Sequence, residues 1–98
     1  MLDKLQAVIQ DRKANPHPDS YTNRLFDAGA EKIAQKVGEE AVEVIIAALR
    51  QERDAQIGEL SDLFYHTLVL MAQLDISLDD VYTELAQRHQ HLIRPMDE

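Results

Sequence analysis

Two short acidic segments hold the residues best suited to chemistry in this sequence. The first contains Glu39, Glu40 and Glu43, and the second contains Glu59 and Asp62. Residues three apart on a helix point from the same side, with Cβ atoms about 5–6 Å apart. Carboxylate oxygens, in a chain with no cysteine, favour Mg²⁺ or Mn²⁺ over Zn²⁺ as the bound ion. The spacing therefore predicts a divalent-cation site that bridges phosphate oxygens and activates a water for attack at phosphorus.

The alternative interpretation is a solvated helix face. Two carboxylates about 5 Å apart repel by roughly 3 kcal/mol at an effective dielectric constant of about 20, so four of them at one cleft need a cation. On a plain surface, Lys36 and Glu40 would instead form an ion pair worth a few tenths of a kcal/mol. Glu39 and Glu43 are like charges four apart, which argues against a purely structural surface. We also expect Glu40 and Glu59 to lie at the margin of the apolar stripe rather than on the fully solvated side of their helices. Spacing alone leaves both interpretations open.

Other polar residues are placed to contact a phosphorylated substrate. Lys32 and Lys36 lie one helical turn apart on the acidic flank, where they either hold phosphates or are plain solvated lysines. His66 follows Asp62 by one turn and is either a partner of the site or a packed boundary residue. Ser20 and Thr22 are equally suited to capping a helix. The candidate substrate-binding residues are Ser20, Tyr21, Thr22, Lys32, Lys36 and His66, with Arg88 and Arg94 as candidates to reach phosphates from a neighbouring subunit.

Helical periodicity runs through the whole chain, and strand patterns are absent. The predicted helices cover residues 2–13, about 20–28, 30–51, 54–74 and 77–91. Asn15-Pro16 ends the first helix, because the residue before a proline is pushed away from the helical conformation. Asp54 and Ser77 are expected N-caps, Ser77 with Asp80 as a capping box, and Gly29 marks a break between helices.

Apolar residues recur at three- and four-residue intervals on the two long central helices. Further apolar residues, Ile46 and Val69, lie on the opposite sides of these helices. A helix that is apolar on two sides is buried on two sides, and in so short a chain we expect the second neighbour to be another subunit. The predicted fold is all-α, a small helical bundle of four to five helices completed by oligomerisation. The two predicted core stripes are Ile33, Val37, Ala41, Val44 and Ala48 on the first helix, and Ile57, Leu60, Phe64, Thr67, Leu68 and Met71 on the second.

Length and charge limit the class of protein. Residues 1–98 are predicted to form one domain, near the lower end of the sizes that sustain a single core. The formal net charge of −8 argues against binding to nucleic acid polymers or anionic membranes. No apolar run is long enough to span a bilayer, and the N-terminus lacks the pattern of a signal peptide. We therefore expect a soluble cytoplasmic protein.

The acidic residues also carry a family resemblance. Glu39-Glu40-x-x-Glu43, followed after fifteen residues by Glu59-x-x-Asp62, is similar to the signature of the all-α, MazG-like nucleotide pyrophosphohydrolases. Within that superfamily, the surrounding residues resemble the phosphoribosyl-ATP pyrophosphatase family. The resemblance covers roughly residues 20–88, and its blocks are Ser20-Tyr21-Thr22, Lys32-Ile33-Ala34-Gln35-Lys36-Val37-Gly38-Glu39-Glu40-Ala41 and Glu59-Leu60-Ser61-Asp62-Leu63-Phe64-Tyr65-His66.

The resemblance implies a reaction and a set of metal ligands. Water attacks the triphosphate of phosphoribosyl-ATP and releases pyrophosphate and phosphoribosyl-AMP, a step of histidine biosynthesis. Glu40, Glu43, Glu59 and Asp62 are the implied ligands of Mg²⁺, with Mn²⁺ as a substitute. Glu39 is implied as a helper that orients water or a second ion, beside Glu40 and Glu43 in catalysis. Family members form dimers or larger homo-oligomers. Many relatives carry a fused phosphoribosyl-AMP cyclohydrolase domain outside these residues, so we expect the next step to belong to another chain.

Two other functions are compatible with the sequence. A housecleaning pyrophosphohydrolase that acts on ordinary nucleoside triphosphates would use the same metal chemistry with different contacts to base and ribose. A non-catalytic helical interaction domain would not be stabilised by Mg²⁺. Spacing leaves open how many metal ions bind, which carboxylate is the general base, and whether two subunits share the site.

Overall fold

The computed structural model describes residues 1–93, and these form six helices without a strand. The all-α class predicted from the sequence is confirmed. Arg94, a candidate for phosphate contact, lies outside the described residues. Among the described helices, none combines the length and the apolar character that crossing a membrane requires. The helices are α1 (Leu2–Ala14), α2 (Tyr21–Ala28), α3 (Ala30–Arg50), α4 (Arg53–Gln73), α5 (Leu78–Arg88) and α6 (Gln90–Ile93).

Most helix ends follow the predicted local signals. Ser77 and Asp80 form the expected capping box, since each side chain satisfies the backbone of the other. The Ser20 hydroxyl accepts a hydrogen bond from the backbone N–H of Asn23 at 3.4 Å and so caps α2. Gly29 alone joins α2 to α3 with φ of 95°, a conformation that favours glycine because it has no Cβ.

Two predicted helix boundaries were wrong. The helix α4 begins at Arg53, with Glu52 as a residue of extended conformation before it and no side-chain cap. Asp54 therefore lies in the first turn, where its negative charge still favours the helix N-terminus. The helix that starts after Ser77 ends at Arg88 rather than near His91, and α6 follows as a separate single turn.

The hydrophobic core draws on five helices and lies at one end of the α3–α4 pair. The predicted core stripe of α3 is offset, because the buried residues are Ile33, Glu40 and Ala47, seven apart, while Ala48 is exposed. A carboxylate thus lies at the centre of the inner face, and not at its margin. The core residues are Ile9 of α1, Leu25 of α2, Ile33 of α3, Leu68, Val69 and Ala72 of α4, and Leu78 of α5.

The predicted stripe of α4 is buried only in its second half. α1 packs against α4, and Leu68 lies in the core with partly buried Met71 packed against it. Ile57, Leu60 and Phe64 are exposed. The first half of the stripe therefore lacks a neighbour among the described residues.

Asn23 is a buried polar side chain that joins three segments. Its amide nitrogen donates to the Arg12 carbonyl at 2.7 Å, and its amide oxygen accepts from the His17 backbone N–H at 2.8 Å. Both contacts anchor the end of α1 and the proline-containing loop to α2. The position of α2, and of Tyr21 at its start, depends on this side chain.

We expect Asn23→Ala to lower the free energy of unfolding by about 2–3 kcal/mol, because buried backbone groups lose their partners. Urea unfolding followed by circular dichroism measures this loss. The matched control is Asn15→Ala, which removes only an exposed contact to Asp11 and should change stability by less than about 0.5 kcal/mol. Equal losses for the two variants would contradict the anchoring role of Asn23.

Candidate active site

The helices α3 and α4 form an antiparallel hairpin with a two-residue connection, Gln51 and Glu52. The Gln56 side chain fixes the closed end, since its amide nitrogen donates to the carbonyls of Ala47 and Gln51 at 3.1 Å each. The Gln51 carbonyl thereby gains a partner just past the end of α3, and the Ala47 carbonyl accepts this bond in addition to the one from the Gln51 backbone N–H. The hairpin sets the register that places the acidic segment of α3 beside that of α4.

Three carboxylates meet across this hairpin. One oxygen from each of Glu40, Glu43 and Glu59 lies within 4.8 Å of the others. Glu40 is only 6% exposed, Glu59 is half-buried and Glu43 is exposed, so the cluster opens to solvent on one side. Opposite oxygens around Mg²⁺ are about 4 Å apart, given Mg–O distances of about 2.0–2.1 Å. The donor set and the spacing fit a divalent cation with room for water and substrate oxygens.

The cluster is electrostatically unfavourable without a cation. Partial desolvation raises the pKa of Glu59, and the charges of Glu43, Asp62 and Glu40 raise it further. Asp62 thus acts on the cluster through its charge, while its own carboxylate does not belong to the three that lie within 4.8 Å. A bound cation would offset this repulsion.

Lys36 lies beside the most buried of the three carboxylates. Its Nζ is 3.5 Å from Glu40 Oε2 and 3.6 Å from Glu39 Oε1. Partial desolvation lowers the pKa of Lys36, but Tyr21, Glu40 and Glu39 outweigh that effect and raise it overall. The ammonium therefore stays charged and faces the cluster.

Glu39 and Lys32 lie outside the three-carboxylate cluster. A hydrogen bond of 2.8 Å from the Gln35 amide lowers the pKa of Glu39, and, despite partial desolvation, the charges of Lys36 and Lys32 lower it further. Lys32 is exposed on the same side of α3. Gln35 and Lys36 are thus the partners of Glu39 in the structure, and its role as a helper in catalysis stays a prediction.

The predicted aromatic and histidine candidates form a second group next to the acids. His66 Nδ1 lies 2.7 Å from the Asp62 carbonyl, which only accepts, so Nδ1 carries the proton. In neutral His66, Nε2 then accepts a hydrogen bond from the Tyr21 hydroxyl, with 2.9 Å between the two atoms. His66 is buried and both its nitrogens have protein partners. It is therefore arranged to orient Tyr21, which remains 42% exposed.

Tyr65 and Arg24 belong to this group, and sequence reasoning missed both. The Tyr65 hydroxyl is hydrogen-bonded to Thr22, and its ring meets His66 edge-on at a centroid distance of 5.1 Å. The Arg24 guanidinium lies over the Tyr21 ring at 5.6 Å. The three-residue spacing between Tyr21 and Arg24 was the available signal for that stacking. Contact of Tyr21, Thr22 or His66 with a substrate stays a prediction.

The C-terminal candidate for phosphate contact lies elsewhere. Arg88 Nε forms a surface ion pair with Glu84 at 2.8 Å on α5. Its contact with a phosphate from a second subunit stays a prediction.

The described residues thus form an all-α protein whose central hairpin carries a cluster of three carboxylates that could hold a divalent cation. The model of the family described as phosphoribosyl-ATP pyrophosphohydrolase matches residues 2–89. The chain belongs to this family, whose members are hydrolases of a phosphoric anhydride, and the family predicted from the sequence is confirmed.

Curated relatives fall into two kinds by length. A phosphoribosyl-ATP pyrophosphatase of Clostridium acetobutylicum is 46% identical over 98 residues, which cover all of this chain and 89% of that protein. One of Pyrobaculum aerophilum is 51% identical over 90% of this chain and 94% of its own length. The histidine biosynthesis bifunctional protein HisIE of Gloeobacter violaceus is 53% identical over 91% of this chain. The chain spans only 40% of that protein and 44% of a second HisIE, from Caldanaerobacter subterraneus.

Proposed function

We propose that this chain hydrolyses phosphoribosyl-ATP to phosphoribosyl-AMP and pyrophosphate in histidine biosynthesis. The observation that carries the proposal is the cluster of Glu40, Glu43 and Glu59 on one hairpin, in a chain of the matching family. The substrate is taken from the names of the relatives that this chain nearly spans. That residues 1–98 form a single domain, and act in the cytoplasm without affinity for nucleic acid polymers or membranes, stays a prediction from composition.

The proposed cofactor is Mg²⁺, with Mn²⁺ as a substitute. All three clustered ligands are carboxylates, the donors that hard divalent cations prefer, and Asp62 is the proposed fourth ligand. When bound, the ion would neutralise charge on the polyphosphate and favour attack by water at phosphorus. Partial desolvation and then the charges of Glu43, Asp62 and Glu40 raise the pKa of Glu59, and a cation would offset the effect of those charges.

The remaining residues are proposed to bind and orient the nucleotide. Lys36 lies beside Glu40 and Lys32 is exposed one turn away on α3, and their ammonium groups would hold phosphate oxygens. Tyr21 offers an exposed ring and a hydroxyl whose direction His66 fixes, features suited to ribose or base. Glu39 is the proposed helper that orients water or a second ion, and one of the cluster carboxylates would take the proton of the attacking water.

Purified protein should release pyrophosphate from phosphoribosyl-ATP only when Mg²⁺ or Mn²⁺ is present. A colorimetric or coupled assay with and without EDTA measures this, beside a panel of ordinary nucleoside triphosphates. We expect the specificity constant for phosphoribosyl-ATP to exceed those of the panel by at least about 100-fold, or roughly 2.7 kcal/mol.

Two other results would replace the proposal. Release only from ordinary triphosphates would make the chain a housecleaning pyrophosphohydrolase. No release from any nucleotide, together with no stabilisation by Mg²⁺, would leave a helical interaction domain with a solvated acidic face.

We further propose that the protein is a homodimer or a larger homo-oligomer. Exposed apolar residues recur on the side of α3 opposite Glu40, and others lie on the first half of α4. Residues three, four and seven apart share one side of a helix, so each central helix carries an uncovered apolar stripe. A second copy would supply the missing neighbour. The residues are Val42, Ile45, Ile46 and Leu49 on α3, and Ile57, Leu60 and Phe64 on α4.

A further inference from the structure

Lys36 is held loosely between two carboxylates. Its Nζ lies 3.5 Å from Glu40 and 3.6 Å from Glu39, whereas tight charge-assisted hydrogen bonds measure about 2.7–2.9 Å. The ammonium therefore gains from both negative charges without a close bond to either. A contact of this length is easily replaced by a contact with another partner.

The two carboxylates differ in their surroundings. Glu40 is buried within the cluster, while Glu39 is exposed and held by Gln35 on the outer side of the helix. The Lys36 side chain is 25% exposed, and a flexible four-carbon stem allows the ammonium to move while the stem stays packed. Glu39 thus offers the ammonium a second position away from the cluster.

We propose that Lys36 is an internal counter-ion of Glu40 that a divalent cation displaces, and that displacement frees its ammonium for the phosphates of the substrate. The inference rests on the proposed function, because it assumes that the cluster binds the cation. Before the cation arrives, Lys36 offsets part of the charge of Glu40, Glu43 and Glu59. Once Glu40 binds the cation, the cation repels the positively charged ammonium of Lys36. The ammonium then moves towards Glu39, on the solvent side of the cluster.

This exchange gives Lys36 opposite effects on two affinities. In the absence of nucleotide it competes with the cation, so removing its charge should strengthen cation binding. In the presence of nucleotide it contacts phosphate, so removing its charge should weaken substrate binding. A lysine that only contacts phosphate, or only stabilises the helix, would not strengthen cation binding when it is lost.

The test compares Lys36→Met with Lys32→Met in the full chain. Mn²⁺ is titrated without nucleotide, and the free ion is followed by electron paramagnetic resonance. Lys36→Met should bind Mn²⁺ roughly 3- to 10-fold more tightly than the unmodified protein, since a partly solvated like charge has been removed. Lys32→Met removes the same charge one turn further from Glu40 and should stay within about twofold. Lys36→Met should also raise the KM for phosphoribosyl-ATP about tenfold.

A second variant and a second readout keep the test decisive. Lys36→Arg keeps the charge and should bind Mn²⁺ like the unmodified protein. Thermal unfolding with and without Mn²⁺ should show a larger rise in Tm for Lys36→Met than for Lys32→Met. Unchanged or weaker Mn²⁺ binding by Lys36→Met would overturn the exchange but leave the proposed function standing. If the unmodified protein binds no Mn²⁺, the proposed function itself fails, and this inference with it.

Discussion

Glu40→Gln should reduce Mg²⁺-dependent pyrophosphate release by at least about 100-fold, which corresponds to roughly 2.7 kcal/mol of lost transition-state stabilisation. Glu40 is the most buried carboxylate of the cluster and lies between Lys36 and the other two acids. Glutamine has nearly the same shape but lacks the charge that a divalent cation needs. The effect should appear in kcat and in the Mg²⁺ concentration required for half-maximal activity.

Stability measurements separate this loss from misfolding. Without a cation, Glu40→Gln removes repulsion with Glu43 and Glu59 as well as the pair with Lys36, so Tm should change little. Added Mg²⁺ should raise the Tm of the unmodified protein by mass action and that of the variant much less. Glu31→Gln, on the exposed first turn of α3, is the matched control and should keep full activity. A Glu40→Gln protein with more than a third of the original activity would contradict the assignment.

Ile45→Glu should convert the proposed dimer into a monomer at micromolar concentrations. Ile45 lies within the exposed stripe of α3 and is 57% exposed, so a new charge is harmless in an isolated chain. In an interface it would be buried without a partner, and we expect the Kd of the dimer to rise at least about 100-fold. Sedimentation velocity across a concentration series measures the change.

Val8→Glu is the matched control for the interface. Val8 is an exposed apolar residue of α1 and lies outside the apolar stripes of α3 and α4, so its replacement should leave the mass unchanged. A monomeric unmodified protein, or a dimer that survives Ile45→Glu, would show that the stripes on α3 and α4 serve another purpose.

Short-range signals in the sequence were sufficient for the helices and for most of the acidic cluster. Glu40 and Glu43 are three apart on one helix, and a two-residue connection forces α4 to run back along α3, so Glu59 meets them. The capping box at Ser77 and the break at Gly29 are likewise local. Each depends on residues within a few positions of one another.

The apolar pattern of the sequence could not show which side of α3 faces the core. Apolar residues occur on two sides of α3, so periodicity does not say which side faces the core. We assumed that buried residues are apolar, and this assumption placed Glu40 at the margin of the buried face. In the structure Glu40 shares the inner face with Ile33 and Ala47. The bond between Tyr21 and His66 joins residues 45 positions apart, and no spacing rule relates them. The distance of Asp62 from the other acids likewise depends on side-chain conformation.

The hairpin of α3 and α4 also has a consequence for how the chain folds. Glu40, Glu43 and Glu59 all lie within residues 40–59, so one short loop closure brings them together, and closing a short loop costs little chain entropy. Contacts that are local in sequence tend to form early. The three-carboxylate cluster therefore lies on the central hairpin, and none of its residues comes from α1 or α5. Divalent cations should then act on the folding transition state as well as on the finished fold.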